Sequence, residues 1–195
     1  MSYSAKIAVF ATGDLEADAE KASLVMTELA RRPSAFSRWR ALCNDGCGTC
    51  EICVAAKAAV AAELLRPDAR VWEVYNAGGV VPLGILRLSR IRPGTEAVLD
   101  FSFFDNKMSD KIGLLEDLIQ SSFSAQDDAW VPLRRLVAEM PAHAFFQLRT
   151  FMKMGFGGPF RVAYAGHKFG ATAIIPTPDP RIGALVTMAL EAVNG

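Results

Sequence analysis

Hydrophobic residues in the first third of the chain recur at helical spacing. Within residues 15–32 one helix face carries the apolar positions, which are Leu15, Ala19, Ala22, Val25, Met26 and Leu29. Asp14 stands before this face as a candidate N-cap, and Pro33 ends it. A short apolar run at residues 6–11 precedes it, and helical patterns follow at residues 34–42 and 54–65. The first third therefore predicts one strand followed by helices.

The pattern changes from helical spacing to alternation near residue 70. Residues 71–76 and 80–91 are predicted as strands, separated by a Gly-Gly turn. Residues 96–104 alternate cleanly after a second turn, with Ala97, Leu99, Phe101 and Phe103 on one side. Three neighbouring strands with short turns predict an antiparallel meander.

A strand followed by a helix is predicted over residues 133–156. Residues 133–139 form the strand, since their centre is apolar and Pro141 cannot continue a hydrogen-bonded ladder. The helix that follows places Phe145, Leu148, Met152 and Phe156 on one face. Gly155 tolerates the positive φ that a helix C-terminus often needs. The next strand is predicted at residues 160–165.

This order resembles the GNAT acetyltransferase superfamily. There a strand that ends in an acidic residue leads into a helix that finishes Lys-x-Gly-Phe; the matching residues here are Glu139, Lys153, Gly155 and Phe156. The meander also matches what the family places before its cofactor helix, so the resemblance covers residues 71–165. It implies a single α+β domain over residues 1–195, with a mixed, mostly antiparallel sheet and helices on both faces. An ordinary β–α–β crossover in another α/β protein is the alternative.

The end of the chain lies outside this family pattern. Residues 177–180 are predicted as a linker, because two prolines flank Asp179. Residues 181–193 are predicted as a C-terminal helix whose apolar face carries Leu185, Val186, Ala189, Leu190 and Val193. Such a helix would close the sheet or dock a protein partner.

The resemblance implies transfer of an acyl group from acetyl-coenzyme A to an amine. A carboxylate then removes a proton from the amine, and the candidates are Glu139 and Asp100, followed by Glu96. The family's tyrosine acid usually lies four residues before the glycine. This chain has Phe151 at that position, so Tyr164 or water would have to supply the proton. His143 is better explained as a capping or surface histidine.

The family binds the pyrophosphate of acetyl-coenzyme A on a glycine-rich loop at a helix start. Lys107, Ser109, Lys111 and Gly113 match that place and would bind phosphate through charge, hydroxyl and backbone N–H groups. The chain departs from the family pattern, because it has one glycine there and Asp110 adds negative charge. An ordinary helix start with Ser109 as its N-cap is the alternative.

All four cysteines fall within residues 43–53. Cys43, Cys47, Cys50 and Cys53 are separated by three, two and two residues, and two glycines in the loop permit tight turns. Four thiolates satisfy tetrahedral zinc and leave it no open position for substrate. The window therefore predicts a structural zinc knuckle remote from catalysis. An iron–sulfur cluster, a redox-active pair and thiols without metal are the alternatives.

Composition narrows the class of partner. The chain has 21 basic and 21 acidic residues, so its formal net charge is zero. It lacks the basic excess that nucleic acid or an anionic membrane attracts, and little charge repulsion opposes a homo-oligomer. No apolar run predicts a membrane span or a signal peptide, and clustered cysteines suit a reducing cytoplasm.

Two functions follow from these observations. The first is an N-acyltransferase that uses coenzyme A and acts on a small-molecule or protein amine. The second is a catalytically inactive GNAT-shaped module for binding or assembly. Chains of this degenerate kind resemble proteins encoded by bacteriophages, so the second function includes a virion component. Glu139 favours the enzyme, whereas Phe151 and the changed phosphate loop favour the module.

Overall fold

The computed structural model describes residues 6–9, 13–30, 47, 49–75, 82–103, 112–124, 130–164, 167–178 and 183–192. Within these ranges the helices are α1 (Leu15–Ala30), α2 (Glu51–Leu64), α3 (Ile112–Ser122) and α4 (Phe145–Lys153). The strands are β1 (Lys6–Val9), β2 (Arg70–Tyr75), β3 (Pro82–Arg92), β4 (Glu96–Phe103), β5 (Arg135–Pro141), β6 (Phe160–Tyr164), β7 (His167–Ala171), β8 (Ala173–Pro176) and β9 (Ala184–Glu191). The predicted helix at residues 34–42 lies outside the described residues. None of the described helices combines the length and apolar character that a membrane crossing needs.

Seven of the described strands are hydrogen-bonded in the order β1-β2-β3-β4-β5-β9-β8, and β6 and β7 form a separate two-stranded sheet. Strands β4 and β5 are parallel. The pairs β1–β2, β2–β3, β5–β9 and β8–β9 are antiparallel. The predicted mixed, mostly antiparallel sheet is therefore confirmed, and so is the prediction that the Glu139 strand neighbours the third strand of the meander.

The chain divides into two compact units. The first comprises Met1–Ser89 and Asp100–Leu114, and the second comprises Arg90–Leu99 and Leu115–Gly195. In the first unit, the predicted N-cap of α1 is confirmed. Asp14 Oδ1 accepts hydrogen bonds from the backbone N–H groups of Glu16 at 3.1 Å and Ala17 at 3.2 Å. The core of this unit contains Ala22 and Val25 of α1, Cys53, Ala56 and Leu64 of α2, and Val71, Val74, Ile85, Leu86 and Leu88 of the strands.

In the second unit, both faces of β5 carry buried side chains, and the most deeply buried ones lie on one face. Leu136, Ala138 and Met140 are all at most 2 % exposed and point to one face of the strand. Their partners Val186 and Met188 of β9 are fully buried on the same face. Glu139 lies between these core positions in the sequence, so it projects from the opposite face of β5.

The Gly-Phe end of α4 is confirmed in detail. Gly155 has a φ of +88° and its N–H donates to the carbonyl of Met152 at 3.1 Å. The N–H of Phe156 donates to the carbonyl of Phe151 at 3.0 Å, which completes a Schellman C-cap. The rings of Phe151 and Phe156 meet edge to face with centroids 4.9 Å apart. The motif therefore ends the helix and buries its last aromatic residue.

The predicted C-terminal helix is wrong. Ala184–Glu191 is strand β9, and it pairs with β5 from Arg135↔Glu191 to Pro141↔Leu185. A strand with neighbours on both sides is apolar on both faces, and such a run also fits helical spacing. A partner-docking helix is therefore absent from residues 184–191.

Two further boundaries differ from prediction. The strand predicted at residues 160–165 exists as β6, but it pairs with β7 in the hairpin instead of continuing the main sheet. The other strand of that hairpin, β7, begins at His167. Pro141 also lies within β5, where it faces Leu185. Its missing N–H does not end the ladder, because the N–H of Ala142 donates to the carbonyl of Ala184 at 2.8 Å.

Candidate functional site

Glu139 follows the last of the four residue pairs between parallel strands β4 and β5. These pairs run from Glu96↔Arg135 to Leu99↔Ala138. On its other side β5 is held by β9 along its whole length. The Glu139 side chain is 27 % exposed and lies on the face opposite the core. The carboxylate is therefore mounted on a rigid strand and still reachable from solvent.

Arg90, near the end of β3, forms an ion pair with this carboxylate through Nη2 and Oε2. The φ of Arg90 is +50°, and among the described residues it is the one non-glycine residue with positive φ. This backbone conformation costs an L-residue roughly 1–2 kcal/mol. Strained residues of this kind cluster at functional sites. Arg90 was missed in the sequence, because nothing near an arginine in a strand indicates its partner.

Thr187 of β9 is the residue paired with Glu139 across the antiparallel ladder. Paired side chains leave the same face of the sheet with Cβ atoms about 5 Å apart. Thr187 is 9 % exposed, and its Oγ1 is buried without a hydrogen-bond partner in the described structure. A buried hydroxyl in this state is uncommon and is able to bind a water molecule. The sequence analysis missed Thr187 by placing it in a helix.

Glu96, the third candidate base, belongs to a row of charges across β4, β5 and β9. Its carboxylate lies 3.3 Å from Nη1 of Arg92 and 3.8 Å from Nη1 of Arg135. Nε of Arg135 lies 3.3 Å from Glu191 Oε1. Arg135 precedes Glu139 by four residues, which is about 13 Å along a strand. Partly exposed pairs of this kind stabilise a fold by about 1 kcal/mol or less. Glu96 thus lies within an ion-pair network away from Glu139.

Asp100, the second candidate base, lies in the first unit. Its Oδ1 accepts the backbone N–H of Phe101 at 2.7 Å, and its Oδ2 lies 3.6 Å from Nη2 of Arg87. The same guanidinium reaches Glu63 Oε2 at 3.4 Å. Asp100 is thus engaged in a network that joins β3, β4 and α2 within that unit.

The structure places two of the residues weighed for proton transfer in different surroundings. His143 is exposed in the turn between β5 and α4. Phe151, at the position of the family's tyrosine, is 3 % exposed and packs on Phe156. The side chain of Tyr164 lies outside what the structure describes.

The start of α3 is the place predicted for phosphate binding. Lys107, Ser109 and Lys111 lie outside the described residues. Gly113 is exposed in the first turn of α3, and among the described residues nothing outside the helix backbone lies within 4 Å of the position that a Cβ would take there. The first turn carries no acidic side chain. This turn therefore leaves room for an anion to approach the backbone.

The predicted cysteine cluster is assembled at the start of α2. The sulfur atoms of Cys47, Cys50 and Cys53 all lie within 4.8 Å of one another. The backbone N–H of Cys50 donates to Cys47 Sγ at 3.4 Å. Cys43, the fourth predicted ligand, lies outside the described residues. The structure thus brings together the three cysteines that it describes.

A buried carboxylate that the sequence analysis did not single out lies in the first unit. Glu73 of β2 is 2 % exposed, and its Oε2 lies 2.9 Å from Nζ of Lys21 on α1. This contact is an ion pair whose angles are not those of a hydrogen bond. Burial, a hydrogen bond to Glu73 and the charge of Glu73 together raise the pKa of Tyr75 to about 12.

A spectrophotometric titration should therefore show Tyr75 ionising near pH 12, against an ordinary tyrosine pKa of about 10. The folded protein holds this proton more tightly than the unfolded chain. The stabilisation is thus complete below pH 10 and is lost as the pH rises to about 12. The signal is isolated by subtracting the titration of Tyr75→Phe. Glu73→Gln should lower the midpoint, and an unchanged midpoint would show that the carboxylate does not act on Tyr75.

No family model and no curated protein sequence matches this chain. Solved structures do match it along nearly its full length. A spermidine N-acetyltransferase from Vibrio cholerae, in complex with CoA and spermine, has a TM-score of 0.60 at 12 % identity and covers 96 % of this chain and 95 % of its own. The Campylobacter jejuni N-acetyltransferase PseH has a TM-score of 0.54 at 10 % identity, with 97 % and 99 % covered. A probable acetyltransferase of the GNAT family from Chromobacterium violaceum has 0.62 at 10 %, with 96 % and 82 % covered. At these identities the likeness establishes the fold.

Proposed function

We propose that this chain, which has the fold of the GNAT-family N-acetyltransferases, is itself an N-acyltransferase. It would transfer an acyl group from acetyl-coenzyme A to an amine, with Glu139 as the general base. The observation that carries this proposal is the place of Glu139, directly after the four pairs of the parallel β4–β5 segment. That is also the position at which the family resemblance expects its carboxylate. The solved structure with bound CoA and spermine shows that this fold can hold both types of substrate.

The chemistry requires a base because an amine reaches the protein mostly as its ammonium form. Glu139 accepts the proton, directly or through a water molecule, and leaves the nitrogen lone pair to attack the thioester carbonyl. A carbon–nitrogen bond forms, the carbon–sulfur bond breaks, and the thiolate leaves. The nitrogen then carries one proton more than the amide needs, and in this proposal a water molecule relays that proton to the departing thiolate, since Phe151 has none to give. The proton taken up by Glu139 is released to solvent.

Arg90 and Thr187 provide the surroundings that this role needs. The ion pair with Arg90 holds the Glu139 carboxylate in one orientation. The unpartnered Thr187 hydroxyl, on the same face and about 5 Å away at Cβ, can bind the water that relays the proton. A positioned base of this kind typically contributes a factor of about 10²–10⁴ to the rate.

The start of α3 supplies the groups that fit the phosphates of coenzyme A. Gly113 is exposed there, and no acidic side chain lies in the first turn. Lys107, Ser109 and Lys111 precede this turn and offer two ammonium groups and a hydroxyl, which have to outweigh the negative charge of Asp110. Backbone N–H groups at a helix start, together with the helix dipole, favour an anion.

The test of this function is a calorimetric titration with acetyl-coenzyme A, followed by transfer assays. The amine panel contains a polyamine, an amino acid, an amino sugar and a peptide with an unblocked N-terminus. Saturable binding together with amine-dependent release of coenzyme A thiol is the expected result. No binding at millimolar acetyl-coenzyme A would overturn the enzyme proposal.

The runner-up is a GNAT-shaped binding or assembly module without catalysis, including a virion component. The buried Phe151 in place of the family's tyrosine favours it. A chain that neither binds acetyl-coenzyme A nor transfers an acyl group would support this function. Its contact surface would then be sought outside the Glu139 site.

Replacing both Lys107 and Lys111 with alanine should weaken acetyl-coenzyme A binding about tenfold, which is about 1.4 kcal/mol. The loss should shrink at high salt, because exposed charges are screened. The matched control removes two positive charges from the β6–β7 hairpin, in Arg161→Ala with Lys168→Ala; both residues are exposed. Equal affinities for the two double variants would place the phosphates elsewhere.

A further inference from the structure

Three cysteine sulfurs meet where the chain enters α2, in a place that acyl transfer does not use. Cys47, Cys50 and Cys53 have all their sulfurs within 4.8 Å of one another. We infer that these three thiolates bind a single zinc ion that stabilises the first unit. The sequence spacing alone is compatible with zinc, an iron–sulfur cluster, a redox pair or thiols without metal. The distances between the sulfur atoms favour zinc.

The distances favour one ion over a cluster. Zinc–sulfur bonds of about 2.3 Å in a tetrahedron place thiolates about 3.8 Å apart. The observed limit of 4.8 Å is close to this value, so small side-chain rotations bring the sulfurs onto one ion. In a [4Fe–4S] cluster each thiolate binds a different iron, which separates the sulfurs more widely. No disulfide joins any two of the three cysteines, so all three sulfurs are available as ligands.

The backbone conformation explains how three cysteines so close in sequence bring their sulfur atoms together. Cys50 is the N-cap of α2, with extended backbone at φ −69° and ψ 165°. Cys53 lies in the first turn, and helical side chains lean towards the N-terminus, so its sulfur returns to the same end. The N–H of Cys50 donates to Cys47 Sγ, and the helix N-terminus favours negative charge.

The burial of the three cysteines is graded from core to solvent. Cys53 is fully buried, Cys50 is half-buried and Cys47 is exposed. An ion bound to all three would therefore tie the exposed loop before α2 to a helix turn that is fixed in the core. Thiolates are soft ligands that select zinc over magnesium or calcium. Cys43 is the sequence's candidate for the fourth ligand, and the inference rests on the other three.

The experiment measures metal content in protein purified under reducing conditions. Wild type and Thr49→Ala should each hold about one zinc per chain. Thr49 is exposed in the same loop, so this variant is the matched control. Cys47→Ser and Cys50→Ser should lose the zinc while circular dichroism shows the fold retained, since neither side chain is fully buried. A chelator should lower the Tm of wild type by roughly 5–10 °C and leave that of Cys47→Ser unchanged.

Three results would overturn the inference. They are no zinc in wild type even after reconstitution, iron with acid-labile sulfide in its place, or full zinc content in both serine variants. If the serine variants do not fold, cobalt titration of wild type decides the matter. Thiolate-to-cobalt charge-transfer absorption supports the site, and its absence refutes it. Neither the zinc content nor the cobalt absorption depends on acyl transfer, so the inference is tested independently of the proposed function.

Discussion

Replacing Gly158 with alanine is expected to lower the free energy of unfolding by about 3 kcal/mol. The same change at its neighbour Gly157 should alter it by less than about 0.5 kcal/mol. A Cβ on Gly158 would lie 2.2 Å from the carbonyl carbon of Ala171, 2.3 Å from its oxygen and 2.3 Å from the nitrogen of Thr172. These are backbone atoms that cannot turn aside. On Gly157, a Cβ would meet nothing within 4 Å.

The clash at Gly158 would destabilise the second unit, because the segment that contains Gly157 and Gly158 connects the β6–β7 hairpin to strand β9 of the main sheet. Gly157 exchanges two backbone hydrogen bonds with Ala189 of β9, at 2.9 and 2.8 Å. The next residue then crosses the β7 backbone so closely that a Cβ on Gly170 would lie 2.7 Å from the carbonyl oxygen of Gly158. The two glycines, Gly158 and Gly170, therefore let the hairpin lie against the end of the segment that anchors it to the sheet.

Urea denaturation followed by circular dichroism measures both variants. Alanine at position 157 retains its N–H and carbonyl, so it tests the general cost of losing a glycine in this segment. A lower midpoint for Gly158→Ala with an unchanged slope would identify the close approach as the cause. Equal midpoints for the two variants would contradict it.

The sequence predicted a structural feature correctly where the contacts that form it lie within a few residues of one another. The cap at Asp14, the Schellman end at Gly155 and the three cysteines each depend on residues within a few positions of one another. Strand β9 is different, because its state is decided by β5, and Arg135 and Glu191 are paired across more than fifty positions. Its apolar residues fit a helix face equally well in isolation. Pairing partners of this kind are invisible in a short sequence window.

The candidate site divides along the same line. Glu139 was predicted because the strand, proline, helix and Gly-Phe that mark it are contiguous. Its partner Arg90 lies 49 positions away in the sequence. The residues that flank Arg90 do not indicate its positive φ. Thr187 depended on the state of β9. The base of the proposed reaction was thus predictable, whereas the residues that orient it were not.

Replacing Glu139 with glutamine is expected to lower kcat of acyl transfer roughly a hundredfold or more. Glutamine has nearly the same shape, and its amide oxygen can still accept a hydrogen bond from Arg90. It cannot accept a proton at neutral pH, so the loss isolates the basic function. Affinity for acetyl-coenzyme A should stay unchanged, because the groups proposed for the phosphates lie at the start of α3.

His143→Ala is the matched control for this variant. His143 carries an imidazole and lies four positions from Glu139, but it is exposed in a turn. Its removal should leave kcat and the pH profile nearly unchanged. In Glu139→Gln, by contrast, the fall of kcat/KM at low pH that reports the essential base should disappear from the residual activity.

Thr187→Val should give an intermediate result if a water held by its hydroxyl relays the proton. Valine keeps the shape of threonine and removes only the hydrogen-bonding group, so kcat should fall about tenfold with little change in acetyl-coenzyme A affinity.

Full activity in Glu139→Gln, with acetyl-coenzyme A still bound, would contradict the role of Glu139. The base would then be Asp100, and Asp100→Asn should carry the loss instead. Because Asp100 already binds the guanidinium of Arg87 and the N–H of Phe101, that variant should also lose stability, which Glu139→Gln should not. The two candidate bases are thus distinguished by two measurements. If Glu139 is the base, Glu139→Gln lowers kcat without lowering stability; if Asp100 is the base, Asp100→Asn lowers both.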